Sequence, residues 1–276
     1  MRGFSSSFLL FFHQIALGGL FGLAFTPFHE LDRAFYKSTG GVLFVIAVLG
    51  LWGKANLYLR SILDSFSRMV AAEALAHFLF IAFFACYIVS LWGERQAFRA
   101  KTFAACILAG LAGLFLSAHS FYEAPIGSIE TFVYPLSFFL SALLLGSVTV
   151  GMLIGHWYLI DTGQTLDPFV RIFKFFVISL AVQSGFSLVA FLSLHFLGTD
   201  HSVVEVERLW TDHSTLLITR IVIGYLGPLV LSWMIWRTLL IPHTMAATGL
   251  FYIALLGVFV GEILSRQILA LTSLPL

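Results

Sequence analysis

Residues 132–158 read FVYPLSFFLSALLLGSVTVGMLIGHWY, a stretch without one Asp, Glu, Lys or Arg. As a helix it would be roughly 40 Å long, against the ~30 Å hydrocarbon thickness of a bilayer. A segment that is apolar on every side has no favourable place on a water-facing surface. Seven further long, mostly apolar stretches flank it, five of them with one or two charged residues. They run near 8–27, 41–59, 69–92 and 102–120 on one side, and near 171–197, 215–236 and 245–271 on the other. In lipid a chain must satisfy its own backbone hydrogen bonds, and long apolar runs do so as helices. The expected fold is therefore all-α: one polytopic integral membrane domain of eight transmembrane helices over residues 1–276.

The rest of the composition agrees. Hydrophobic residues make up 59% of the chain, charged residues 11%, and mean hydropathy is +0.97. A soluble domain carries about 25% charged residues, so lipid is the expected solvent for most of this surface. The connections are short. The longest, Gly198–Ser214, is too small for a folded domain, so extramembrane chemistry is expected to belong to partner chains. A net charge of +1 offers no basic field for nucleic acid. Cys86 and Cys106 lie in separate apolar runs, which points to burial rather than a disulfide or metal site. The opening MRGFSSSFLLFF resembles a signal peptide, but its apolar run contains His13-Gln14 and lacks a small-x-small cleavage site. It reads as the first retained helix. Gly18/Gly22, Gly151/Gly155 and Gly257/Gly261 have the spacing of close helix contacts.

Basic residues suggest the orientation. One set of loops holds Arg33, Lys37, Arg95, Arg99, Lys101, Arg171, Lys174 and Arg237; the other holds Arg2, Lys54, Arg60, Arg68 and Arg208. The richer set belongs inside. In a bacterium this places both termini on the periplasmic side of the inner (cytoplasmic) membrane. The outer loops then carry Glu123, Glu130, Asp200, Glu205, Glu207 and Asp212.

Ionisable groups at membrane depth are costly and tend to be functional. His13 and Gln14 fall near the outer end of the first helix, and Asn56, Tyr58 and Arg60 at the outer end of the second. Glu73 and His77, four apart and on one face, lie in the outer third of the third helix; His119 and Tyr122 close the fourth. Polar groups of helices 8–120 thus converge near one face, with the bundle of 132–271 beside them. A quinone head group has two carbonyl oxygens to hydrogen-bond, and oxidation of its quinol releases two protons. Glu73 and His77 are the candidate proton-exchanging pair, and His13, Gln14, Asn56, Tyr58, Arg60, His119 and Tyr122 are candidate binding residues. Haem b between His77 and His119, or His13, is a rival use of the histidines. A transporter or proton channel is another, and would need polar groups through both halves of the membrane. Glu262 and Arg266, again four apart, read as an internal ion pair that Arg220 can join. His195 reads as interfacial, and His156 with Trp157, Tyr158 and Asp161 as part of an inner belt.

Several stretches are similar to the eight-helix membrane anchor subunit of dimethyl sulfoxide reductase, within the NrfD/polysulfide reductase anchor superfamily. They are Gly18-Gly19-Leu20-Phe21, Ala72-Glu73-Ala74, the segment Tyr122–Leu140 with Pro125 and Pro135, Thr219-Arg220-Ile221-Val222 and, most specific, Gly261-Glu262-Ile263-Leu264-Ser265-Arg266. The resemblance implies a non-catalytic subunit of a respiratory oxidoreductase that binds menaquinone or another quinone near the periplasmic face. It implies electron exchange with an iron–sulfur subunit coupled to a molybdenum or other catalytic subunit, and no haem of its own. Glu73 falls on the family's quinol-associated carboxylate. A family histidine after the second helix has no counterpart near Leu51-Trp52, leaving His77, His13 or Asn56 to take its part. That departure also leaves a multihaem cytochrome c as an alternative partner.

Overall fold

The computed structural model describes residues 4–26, 28, 30–64, 67–122, 124–125, 127–161, 163–241 and 243–276. The described residues are helical and contain no strand. The helices are α1 (Phe4–Ala24), α2 (Arg33–Asp64), α3 (Arg68–Ser90), α4 (Gln96–His119), α5 (Glu130–Ile160), α6 (Asp167–Leu197), α7 (Asp200–Asp212), α8 (Ser214–Ile221), α9 (Gly227–Leu240) and α10 (Thr244–Thr272). A π-helical turn, Val222–Leu226, joins α8 to α9, so that Ser214–Leu240 is one span. Among the described residues, eight segments are long and apolar enough to cross a membrane, as the sequence predicts. The protein is a multi-pass, all-α membrane bundle.

The spans alternate in direction. The starts of α1, α3 and α5 share one end of the bundle with the ends of α2, α4 and α10; this is called the near end. α1 and α5 form the axis, each with 72% of its apolar window buried. Glycine makes their approach possible. A Cβ on Gly18 would overlap the backbone of Ala142, and one on Gly146 would overlap that of Gly18. Without a hydrophobic drive between helices in lipid, such close backbone packing is a main source of association. The other two glycine pairs also lie at contacts: Gly151 and Gly155 against Phe251 and Thr248, Gly257 and Gly261 against the π-turn.

That turn has a local cause. Pro228 has no N–H to donate, and Gly227 N–H reaches back five residues to Val222 O. The extra residue brings Arg220 and Tyr225 to one face, where Arg220 Nη2 lies 2.8 Å from Tyr225 Oη.

The connection Gly198–Ser214 contains a helix, α7, which turns Ser202, Val206 and Leu209 inward and its charges outward. Two sequence expectations change. Glu130 is no loop acid. It is 1% exposed, and its Oε1 accepts from Thr199 N at 2.7 Å and Ser202 Oγ at 2.8 Å, tying α5 to the start of α7. Lys54 is no loop base, because α2 runs past it and buries it. Arg2 and Glu123 lie outside the described residues.

Candidate functional site

Spacing four residues apart builds the site. Lys54 and Tyr58 share one face of α2, Glu73 and His77 one face of α3, and Gly113 and Ser117 one face of α4. These three faces meet, with His13 of α1 behind them. Glu73 Oε1 accepts three hydrogen bonds: from Lys54 Nζ at 2.9 Å, Tyr58 Oη at 2.9 Å and Ser117 Oγ at 2.6 Å. Lys54 Nζ also donates to Ser117 Oγ at 3.1 Å. Lys54 is 5% and Glu73 8% exposed, so the ion pair is desolvated. Breaking such a pair from one side costs about 3–5 kcal/mol, because it leaves a buried charge unpaired.

The imidazoles form a second layer. His77 Nδ1 lies 2.9 Å from the carbonyl oxygen of Glu73, which can only accept, so Nδ1 carries hydrogen. Tyr58 Oη is 3.3 Å from the same nitrogen. His77 Nε2 is buried without a hydrogen-bond partner among the described residues. The His13 ring lies 4.4 Å from the His77 ring, and its Nε2 donates to Gly110 O at 2.9 Å. The space for these rings comes from α4: a Cβ on Gly113 would lie 3.3 Å from His77 Cε1 and Nδ1. Two imidazoles binding one iron through bonds of about 2 Å would have ring centres about 6 Å apart. At 4.4 Å, with His13 Nε2 on a carbonyl, these two are arranged as a packed pair rather than as axial ligands.

A cavity of about 270 Å³ opens onto this cluster toward the near end. Glu73, Lys54 and Tyr58 form its polar side; Leu57, Val70 and Phe121 form an apolar wall. Ser6 of α1 and Ser120, just past α4, also line it.

The other sequence candidates lie elsewhere. Gln14 is fully buried but faces α5, with Nε2 donating to Phe138 O at 2.8 Å. Neighbouring residues on a helix point about 100° apart, so His13 and Gln14 serve different contacts. Asn56 and Arg60 are exposed on another side of α2. His119 is exposed, with Nδ1 3.2 Å from Tyr122 Oη. Tyr122 lines a separate cavity of about 120 Å³ beside Glu130, Tyr134 and His201. Sequence reasoning missed Lys54 and Ser117. Lys54 had a readable signal: a lysine inside an apolar span requires a partner.

A second ionic cluster braces the other half. Glu262 Oε1 accepts from Arg220 Nη2 at 2.6 Å; Oε2 accepts from Ser141 Oγ and from Arg266 Nη2, the latter at 3.3 Å. The expected Glu262–Arg266 pair is thus a triad of one carboxylate and two guanidiniums, all at most 2% exposed. The guanidiniums also stack on aromatic rings, Arg220 on Tyr225 and Arg266 on Phe138. His156 bonds Tyr252 Oη at 3.0 Å at the far end, and the His195 ring packs against Phe196. No protein-family model, no curated protein and no solved structure matches the chain.

Proposed function

We propose that this chain is the quinone-reactive membrane subunit of a respiratory oxidoreductase, working in the manner of the dimethyl sulfoxide reductase anchors that its sequence resembles. The observation that carries the reading is the desolvated Glu73 carboxylate, gripped by Lys54, Tyr58 and Ser117, on the polar side of a cavity that faces it with an apolar wall at one membrane end. The residues fit an amphiphile with a polar aromatic head. Lys54 has a remaining N–H for a carbonyl oxygen, Tyr58 Oη, whose hydrogen goes to Glu73, can accept from a hydroxyl, and Leu57, Val70 and Phe121 supply an apolar wall for the ring and tail. When bound, a quinol supplies two electrons and two protons.

This chain's residues then have distinct tasks. Tyr58 and Lys54 orient the head group by hydrogen bonds. Glu73 takes the protons of the two bound hydroxyls one after the other, passing on the first before it takes the second, and Lys54 holds the local charge balance. The serines toward the near end pass the proton to water. His77 and His13 hold Tyr58 and Glu73 in place, with His77 fixed to the Glu73 backbone. Electrons leave through a redox partner docked on the near end: an iron–sulfur subunit with a molybdenum or other catalytic subunit, or a multihaem cytochrome c. We place the near end, and both termini, on the periplasmic side of a bacterial inner membrane. With Lys54 buried, the described bases of that end reduce to Arg60, Arg68 and Arg208, while the far end, with Arg99 likewise buried, keeps seven.

The test begins with the purified full chain in the complex it copurifies with. Organic extraction is expected to release about one quinone per wild-type chain, and Glu73→Gln to lower quinol-dependent electron transfer at least tenfold with assembly intact. Wild-type turnover in Glu73→Gln refutes the assigned role. A haem b spectrum from the chain, or solute flux in liposomes without a redox partner, would replace this reading with the haem anchor or the transporter. The copurifying subunits identify the enzyme.

A further inference from the structure

The far end holds a larger cavity, of about 400 Å³, between the end of α1, the start of α2, the end of α3 and the start of α4. It lies at the other membrane face from Glu73. Its central charge is Arg99. That side chain is 7% exposed, and its guanidinium stacks on Phe28, 4.1 Å from the ring centre. Nη2 donates to Gly93 O at 2.9 Å, whereas Nε is buried with no hydrogen-bond partner among the described residues. A buried guanidinium N–H without an acceptor is a costly arrangement. No carboxylate lines the cavity among the described residues. Glu30, close by, is already paired with Arg171 at 2.9 Å, and Glu94 is exposed in the α3–α4 turn.

The first turn of α4 adds to this charge. Gln96, Arg99 and Ala100 line the cavity, and the helix has neither an acidic residue in its first turn nor a side-chain cap. Its free amides and dipole present partial positive charge to the same space. Arg95 and Lys101 are exposed beside it, and Lys37 stacks on Trp92 at 4.9 Å. Leu23, Ala24 and Phe103 continue the cavity as an apolar wall. An anion would complete Arg99, and an attached hydrocarbon tail would cover that wall.

We infer that this cavity is a binding site for the phosphate head group of an acidic phospholipid, with Arg99 as the principal ligand and Tyr36 and Tyr87 at its sides. A basic pocket between helices at a membrane face suits such a head group. The site is independent of the quinone pocket and makes no use of its residues.

The test uses the full chain purified in detergent and delipidated. Phosphatidylglycerol is titrated against phosphatidylcholine of the same acyl chains, and separately against inorganic phosphate. Native mass spectrometry counts bound lipid, and thermal unfolding reads the gain. The wild type is expected to hold about one phosphatidylglycerol and to gain several degrees in Tm, with no such gain from phosphatidylcholine. Arg99→Gln loses at least tenfold in affinity for phosphatidylglycerol, while the control Arg237→Gln, exposed at the end of α9 and outside the cavity, keeps most of it. Should Arg99→Gln fail to fold, Ala100→Trp, which obstructs the cavity and leaves Arg99 in place, is expected to give the same loss. Equal gains from both lipids, or an undiminished phosphatidylglycerol gain in both site variants, would overturn the inference. A full gain from inorganic phosphate alone would overturn the lipid as its source.

Discussion

Lys54 and Glu73 illustrate what one buried charge does to its neighbour in lipid. Each is tolerable at 5–8% exposure only because the other neutralises it. Lys54→Met is therefore expected to destabilise the protein by about 3–5 kcal/mol, and Lys54→Met with Glu73→Gln by less than the sum of the single changes. Chemical unfolding in detergent micelles measures both; strict additivity would mean the pair is not coupled. Glu262 carries a heavier charge load, since it faces two guanidiniums. Glu262→Gln leaves both unpaired and is expected to abolish folding or cost more than about 3–5 kcal/mol. Arg266→Met leaves the shorter Arg220–Glu262 contact of 2.6 Å and a neutral pair, so it should be the milder variant in the same assay. The reverse order would show that the Arg220–Glu262 pair alone does not hold the charge balance of the triad.

At the scale of elements, small residues decide which helices meet. α1 and α5 touch backbone to backbone at Gly18 and Gly146, so Gly146→Leu is expected to prevent assembly and remove the protein from the membrane fraction. α4 uses glycine differently. Gly113 leaves room for the His77 and His13 rings, and a methyl there would sit 3.3 Å from His77. Gly113→Ala is expected to leave the bundle folded, with Tm changed by a few degrees, while quinol turnover falls several-fold as His77 and Tyr58 shift. Unchanged turnover would separate the imidazole layer from the site. The π-turn is the third device. It sets Arg220 and Tyr225 on the face toward Glu262, where Tyr225 Oη also meets Ser187 Oγ of α6 at 2.6 Å.

For the whole molecule, polarity is unevenly placed. The Glu73 cavity belongs to the near end of α1–α4, and the Arg99 cavity to the far end of the same helices. Orientation decides which compartment each faces. In a Cys86→Ala, Cys106→Ala background, Glu207→Cys on α7 is expected to react with a membrane-impermeant maleimide in intact cells. Glu94→Cys in the α3–α4 turn should react only after lysis, since it lies at the opposite end. The opposite pattern would put the Glu73 pocket on the cytoplasmic side and reverse the proposed docking face.

Eight apolar runs determined the all-α membrane bundle, because lipid leaves a long apolar segment almost no other way to satisfy its backbone. Spacing four residues apart likewise determined that Glu73 and His77, and Glu262 and Arg266, would share helix faces. Only the tertiary structure decided what those faces meet. It set Lys54 and Ser117 against Glu73, joined Arg220 to Glu262, turned Gln14 to α5, and left Asn56, Arg60 and His119 exposed. The reason is physical. Depth along a helix follows from counting residues, whereas the rotation of one helix against another is fixed by side-chain and glycine packing between segments far apart in sequence.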